Sequence, residues 1–155
     1  MGMITLLINN KNMRNTIKYH KDFFINRLVK EWLKHERLII ACDLDDTIIP
    51  YNSELWESCE ETVELIKECQ TEGIWFIINT ARQEYKLEDG KTQVESLGIE
   101  VHSVNKMPFT WNLLYGLSGK VYANIFLDDR GGIECTRNQL REAYNIVKQH
   151  REQIK

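Results

Sequence analysis

Short, unbroken apolar runs alternate along this chain with segments of helical periodicity. Residues 38–42 and 74–79 form the clearest runs, and residues 99–104 and 121–127 form two more. An apolar run of this length is typical of a strand that is buried on both faces of a sheet. The alternation of such strands with helices predicts an α/β fold, in which helices cover both faces of a mainly parallel sheet.

Four segments have the apolar periodicity of helices. They are predicted at residues 17–36, 54–71, 84–97 and 136–149. Ser53 is a suitable N-cap for the second helix, and the Asp89-Gly90 pair could interrupt the third. Residues 3–8 form a weak candidate for a short edge strand, and residues 105–119 are predicted to form a loop with one helical turn.

Length and composition favour a single domain that works in the cytoplasm. The chain has 155 residues, 43% of them hydrophobic, and its formal net charge of −3 does not favour general binding to nucleic acid or anionic membranes. Its four cysteines lack metal-site spacing, which indicates reduced thiols, and its N-terminal apolar run is too short for a signal peptide or a membrane span. We divide the domain into an extension at residues 1–37 with an amphipathic helix, a core at 38–132 and a C-terminal helix at 133–155.

Polar residues follow three of the predicted strands. The first strand is followed by Asp43-Leu44-Asp45-Asp46-Thr47, the second ends in Asn79-Thr80-Ala81-Arg82, and the fourth in Asp128-Asp129-Arg130. In a parallel sheet these strand ends meet at one edge, where ligands bind close to the switch in strand order. Several carboxylates in one crevice repel each other unless a cation lies among them, and oxygen ligands without His or Cys favour Mg²⁺ over zinc.

The spacing of Asp43 and Asp45 allows the two carboxylates to have different roles. One can attack phosphorus while the other protonates the leaving oxygen. Arg82 and Lys120 are candidates for binding phosphoryl oxygens, and Lys120 could also stabilise the charged nucleophile.

These residues carry a family resemblance that covers residues 38–132. The sequence resembles the haloacid dehalogenase-like phosphohydrolases, whose first motif, DxDx[TV], corresponds to Asp43-Leu44-Asp45-Asp46-Thr47. The second motif corresponds to the strand that ends in Thr80, and the fourth to Asp128-Asp129. The motif lysine has two candidates: Lys120, which lies eight residues before Asp128 and which we favour, and Lys106. The Lys120 segment differs from the pattern of small members because Val121 replaces a proline and Asn124 an acidic residue.

The resemblance implies a Rossmann-like three-layer sandwich and an aspartyl-phosphate mechanism. Asp43 would be the nucleophile, Asp45 the general acid and then base, and Thr80 and the lysine the phosphoryl ligands. Mg²⁺ would bind the Asp43 carboxylate, the Asp45 backbone carbonyl and Asp128 or Asp129. Only a few residues separate the first motif from the next helix, and helix, strand and loop use most of residues 81–119. The resemblance therefore implies a protein without a large cap domain.

Several alternatives remain open at this point. Asp46 lies where a small residue is common in the motif, and its carboxylate could cap the turn or lie near the metal. The substrate could be a nucleotide, a nucleic-acid end or another phosphorylated metabolite, and a second copy of the chain could serve as a lid. The competing functions are a phospho-acceptor domain of the response-receiver kind, in which the acidic pair precedes the acceptor, and a catalytically silent binding module.

Overall fold

The computed structural model describes residues 4–6, 17–19, 22–108 and 121–155. Its strands are β1 (Ile4–Leu6), β2 (Ile17–Tyr19), β3 (Leu38–Cys42), β4 (Ile74–Ile78), β5 (Ser103–Val104) and β6 (Ile125–Leu127). Its α-helices are α1 (Phe23–His35), α2 (Trp56–Gln70), α3 (Tyr85–Ser96) and α4 (Ile133–Ile154). None of the helices in these ranges has the length and apolarity that a membrane span requires.

The main sheet has four parallel strands in the order β5-β4-β3-β6. From β3 the chain moves outward through β4 to β5, and β6 then pairs with the other side of β3. The order of the strands therefore switches between β3 and β6, which is where α/β sheets of this kind bind ligands. Strands β1 and β2 pair antiparallel in a separate two-stranded sheet.

The two faces of the sheet have different cores. Leu38, Ile40 and Cys42 belong to a large cluster to which all four described helices contribute buried side chains. Ile39 and Ala41 face the opposite side, where the described residues form a smaller cluster with Ile77, Met107, Val121 and Ala123. The α/β architecture with a parallel sheet is confirmed. Residues 109–120, which include the predicted loop and its helical turn, lie outside the described residues.

The first predicted helix begins later than its periodicity indicated. Residues 17–19 form β2 instead, and α1 starts after Asp22, whose Oδ1 accepts hydrogen bonds from the backbone N–H groups of Phe24 (2.7 Å) and Ile25 (3.3 Å). Asp22 thus satisfies donors that the first turn of a helix leaves unpaired. The strand assignment fits the β-branched and aromatic side chains that flank Lys18. The prediction of a helix at residues 17–19 is therefore wrong.

The entry to the second helix also differs from the prediction. The side chain that caps this entry is Asn52, not Ser53: it is the N-cap of the 3₁₀ turn that precedes α2, and its Oδ1 accepts a hydrogen bond from the N–H of Glu54 at 3.0 Å. Helix α2 itself has no side-chain cap. A short 3₁₀ turn at Ser53–Leu55 follows and leads directly into α2. Helix α3 passes through Asp89-Gly90 without interruption.

The last strand, β6, is shorter than predicted because Asn124 changes the pairing at its start. The Oδ1 atom of this buried side chain accepts a hydrogen bond from the N–H of Ile39 at 2.8 Å, while the backbone N–H of Asn124 donates to the carbonyl oxygen of Ile39 at 2.9 Å. A side-chain oxygen thus occupies the place of a backbone acceptor, and regular pairing with β3 begins only at Ile125. Asn124 stands at the position that is acidic in the motif of the small superfamily members, and here it has a structural function.

Candidate active site

The carboxyl ends of β4, β3 and β6 bring the predicted polar residues to one edge of the sheet. The N–H of Asp43 donates to the carbonyl oxygen of Leu127 at 2.8 Å, and the N–H of Asn79 donates to that of Cys42 at 2.8 Å. Backbone pairing therefore continues one residue beyond the strands. Asp43 lies beside Asp128 because their strands are neighbours in register.

Three carboxylates form a compact cluster at this edge. Oxygen atoms of Asp43, Asp128 and Asp129 lie within 4.8 Å of one another, and all three residues are half-buried. Burial raises the pKa of Asp43 to about 6, and the neighbouring charges of Asp128 and Asp129 act in the same direction. The hydrogen bond from the N–H of Leu44 lowers this pKa, but by less than burial raises it. The negative charge of this cluster is thus poorly solvated and suits a divalent cation with oxygen ligands.

Thr47 joins the two acidic loops. Its side chain is 1% exposed, and its Oγ1 accepts a hydrogen bond from the N–H of Asp129 at 3.0 Å and lies 3.4 Å from Oδ1 of the same residue. The hydroxyl therefore fixes both the backbone and the carboxylate of Asp129 relative to the first loop. The sequence alone did not indicate this role of Thr47. Its place in the first motif is the feature that could have indicated it.

Asp46 caps the turn that follows Asp45. Its backbone has a positive φ of 59°, and its Oδ1 accepts hydrogen bonds from the N–H groups of Tyr51 (2.8 Å) and Asn52 (2.9 Å). Asp is among the residues that tolerate this left-handed conformation, and it can bond nearby amides at the same time. Of the two alternatives for Asp46, the turn cap is the one observed.

Asp45 has a different environment from Asp43. Its carboxylate is paired with Arg82, with Nη2 at 2.5 Å from Oδ1 and Nε at 3.1 Å from both oxygens. The Arg82 side chain is 11% exposed and the Asp45 side chain 37%. In this arrangement Asp45 is not part of the carboxylate cluster. Its carboxylate occupies the guanidinium of Arg82, which was predicted to bind a phosphoryl group.

Gly90 leaves the space that the Leu44 side chain needs beneath α3, next to Arg82. A Cβ atom at this position would lie 2.6 Å from Cδ2 of Leu44 and 3.4 Å from Nη1 of Arg82. Contacts of 2.6 Å are too short for carbon atoms, so a side chain here would displace its neighbours. The glycine that appeared able to break the helix instead allows it to pack closely on the site.

Thr80 is held at the same edge by Asn105, a residue that the sequence did not indicate. The N–H of Thr80 donates to Oδ1 of Asn105 at 2.7 Å, and Nδ2 of Asn105 donates to the carbonyl oxygen of Thr80 at 2.9 Å. The Oγ1 of Thr80 accepts from the N–H of Arg82 at 3.2 Å. Asn105 directly follows β5, and this position at a strand end is the feature of the sequence that could have indicated its place in the site.

The motif lysine is not decided by these contacts. Lys120 lies outside the described residues. Lys106 is exposed on the loop after β5, where its carbonyl oxygen accepts a hydrogen bond from Oγ of Ser103 at 2.5 Å. The preference for Lys120 stays a prediction.

Comparisons with known proteins agree with this geometry. Residues 40–105 match a family model described as haloacid dehalogenase-like hydrolase. A solved structure of a conserved protein from Bacteroides thetaiotaomicron is similar, with 25% sequence identity and a TM-score of 0.55 over 73% of this chain and 91% of that chain. The match over residues 40–105 agrees with the resemblance of this chain to haloacid dehalogenase-like hydrolases. No curated protein matches it significantly.

The similarity of residues 40–105 to haloacid dehalogenase-like hydrolases supports a hydrolase function of the phosphohydrolase type. The described residues contain no large cap domain, since residues 43–55 form only a tight turn and a 3₁₀ turn before α2. Between Thr80 and Pro108 the chain forms α3 and β5 and no further element. Within the described residues, the carboxylate cluster therefore lies in a site without an inserted domain above it.

Proposed function

We propose that this protein is a Mg²⁺-dependent phosphomonoester phosphatase that forms an aspartyl-phosphate on Asp43. The observation that carries the proposal is the separation of the two motif carboxylates. Asp43 lies in a cluster with Asp128 and Asp129, whereas Asp45 is not part of this cluster and is bound by Arg82. This separation supports one carboxylate as the nucleophile and the other as the acid and base.

The donor set fits a divalent cation. The carboxylates of Asp43, Asp128 and Asp129, together with the backbone carbonyl of Asp45, would hold Mg²⁺ through oxygen atoms alone, as this ion prefers. When bound, the cation would offset the negative charge of the carboxylates and of the phosphoryl group. The residues around it then carry out the bond changes.

In the first step a carboxylate oxygen of Asp43 forms a bond to phosphorus while the bond from phosphorus to the ester oxygen breaks. Asp45 gives its proton to the leaving oxygen. In the second step Asp45 takes a proton from a water molecule that attacks phosphorus, which releases inorganic phosphate and restores the Asp43 carboxylate. Thr80 and the motif lysine would bind the phosphoryl oxygens throughout.

Arg82 would have two functions in this scheme. Its contact with Asp45 orients the acid before substrate binds, and its charge attracts a phosphate dianion to the same edge. The proposed need for an acid at position 45 also separates a phosphatase from a dehalogenase, which does not require one there. The substrate would be a nucleotide, a nucleic-acid end or another phosphorylated metabolite, and a second copy of the chain is a candidate lid.

The test is the hydrolysis of p-nitrophenyl phosphate by the purified protein with Mg²⁺. We expect Asp43→Asn to abolish it without unfolding the protein, whereas Glu152→Gln, the corresponding change at an exposed carboxylate near the end of α4, should keep the parent rate. A phospho-acceptor domain would release no more than one phosphate per chain at a slow rate, and a silent binding module none. Equal activity of Asp43→Asn and the parent would exclude the assigned nucleophile.

A further inference from the structure

An aromatic ring lies beside Arg82, the residue that binds the proposed acid Asp45. The Tyr51 ring centroid is 5.9 Å from Cζ of Arg82, whose guanidinium is bound to the Asp45 carboxylate at 2.5 Å. Tyr51 is nevertheless 73% exposed, so Arg82 covers only part of the ring. The exposed part of the Tyr51 ring therefore presents a flat apolar surface to solvent, next to the pair formed by Arg82 and Asp45.

The loop that carries Tyr51 is fixed by hydrogen bonds. The N–H of Tyr51 is bound to Oδ1 of Asp46 at 2.8 Å, and the N–H of Asp46 donates to the carbonyl oxygen of Ile49 at 2.8 Å. The N–H of Ile49 in turn donates to the carbonyl oxygen of Leu44 at 3.0 Å. Because the backbone is held in this way, little conformational freedom of the loop would be lost when a ligand packs against the ring.

We propose that Tyr51 is a stacking surface for a planar ring in the leaving group, so that the enzyme prefers nucleoside monophosphates to phosphomonoesters that lack a base. This inference rests on the proposed function. The leaving oxygen must lie next to Asp45 to receive its proton, so the rest of the leaving group extends from Asp45. Tyr51 lies beside Arg82, the residue that binds Asp45, and bases stack on aromatic side chains with little dependence on their identity.

The charges near Tyr51 favour a single nucleotide over a nucleic-acid end. Exposed carboxylates follow it in the sequence, at the entry to α2 and along its first turns: Glu54, Glu57, Glu60 and Glu61. Proteins that bind polynucleotides present Lys and Arg to successive phosphates, whereas this surface would repel them. A nucleoside monophosphate places its only phosphate at the carboxylate cluster with its cation and leaves an uncharged base for Tyr51.

The experiment compares two substrates with the same leaving oxygen. We measure kcat/KM with Mg²⁺ for adenosine 5′-monophosphate and for ribose 5-phosphate, which differ by the base alone. In the parent we expect the nucleotide to be preferred by about tenfold, the effect of a modest stacking contact. Tyr51→Leu should remove this preference, and Tyr51→Phe should keep it because the ring remains.

Tyr122→Leu is the matched control, since Tyr122 is an exposed tyrosine that precedes β6, toward the opposite edge of the sheet. We expect it to keep the preference. An equal preference in Tyr51→Leu and the parent, with both substrates hydrolysed, would overturn the role of Tyr51 and leave the phosphatase proposal intact. A higher kcat/KM for a 5′-phosphorylated oligonucleotide than for the mononucleotide would overturn the substrate class. Failure to hydrolyse any monoester would overturn the proposed function, and this inference with it.

Discussion

The hydroxyl of Thr47 offers a direct test of how the site is held together. Thr47→Val replaces this hydroxyl by a methyl group and leaves the rest of the side chain in place. The variant loses the 3.0 Å hydrogen bond from the N–H of Asp129 and the contact with its carboxylate. Asp129 is then no longer attached to the loop that carries Asp43.

The size of the effect follows from the burial of this contact. Thr47 is 1% exposed, so in the variant water cannot readily replace the hydroxyl, and the N–H of Asp129 is left without its partner. An unpaired buried donor costs about 1–3 kcal/mol of unfolding free energy. Loss of a group that orients a metal ligand typically weakens metal binding by about 10- to 100-fold, and we expect a Kd for Mg²⁺ weakened to this extent.

Two measurements and one control variant separate these effects. Urea unfolding without metal gives the change in stability, and calorimetric titration with Mg²⁺ gives the Kd. The control is Thr62→Val, because Thr62 is equally buried but lies in α2, where its hydroxyl donates to the carbonyl oxygen of Ser58 at 3.0 Å and accepts from Arg137 at 3.2 Å. Thr62→Val should lose stability and bind Mg²⁺ like the parent.

The reasoning would be refuted if Thr47→Val bound Mg²⁺ as tightly as the parent. It would also be refuted if Thr62→Val weakened Mg²⁺ binding as much as Thr47→Val, because the loss would then follow stability in general. A Thr47→Ser variant, which keeps the hydroxyl, should restore most of the affinity if the hydrogen bond is the cause.

Two further predictions concern Arg82, which positions Asp45, and His102, a partly buried histidine. Arg82→Met should lower kcat by about 100-fold, the cost of a misplaced catalytic group, because Asp45 loses its orienting contact. Arg151→Met removes an ion pair remote from the site and should leave kcat unchanged. Equal kcat values for the two variants would contradict the positioning role of Arg82. The Nδ1 atom of His102 accepts a hydrogen bond from the N–H of Phe76 at 3.0 Å, and burial lowers the pKa of this side chain. His102 therefore binds a proton more readily in the unfolded chain than in the folded protein. The contribution of His102 to the unfolding free energy should therefore fall as the pH drops from 7.5 to 5.5. The difference in unfolding free energy between the parent and His102→Gln should change over this range in urea titrations, and a difference that is constant with pH would argue against this role.

The alternation of strands and helices along the chain and the polar residues at the strand ends could be predicted from the sequence. The runs before Asp43 and Asp128 are apolar because they are buried in the sheet, and the acidic residues after them mark the edge. Helix boundaries were less predictable. The periodicity of residues 17–36 does not reveal that Asp22 caps the helix, since the cap depends on the backbone conformation of a single residue.

Contacts between distant segments could not be predicted in this way. Asn105 binds Thr80 across 25 residues of sequence, and Thr47 binds Asp129 across 82. Polar residues of these types are common in loops, so their identity does not indicate which of them will meet. The pairing follows from the neighbour relations of the strands, which bring their carboxyl ends together.

The sequence by itself determined the α/β fold and the edge of the sheet where the carboxylates collect, because hydrophobic periodicity and strand ends are local properties. Only the tertiary structure decided how those carboxylates divide. Asp43 lies with Asp128 and Asp129, while Asp45, two residues away, is bound by Arg82. That division depends on which side chains approach from neighbouring segments, and such distances exist only in the folded chain.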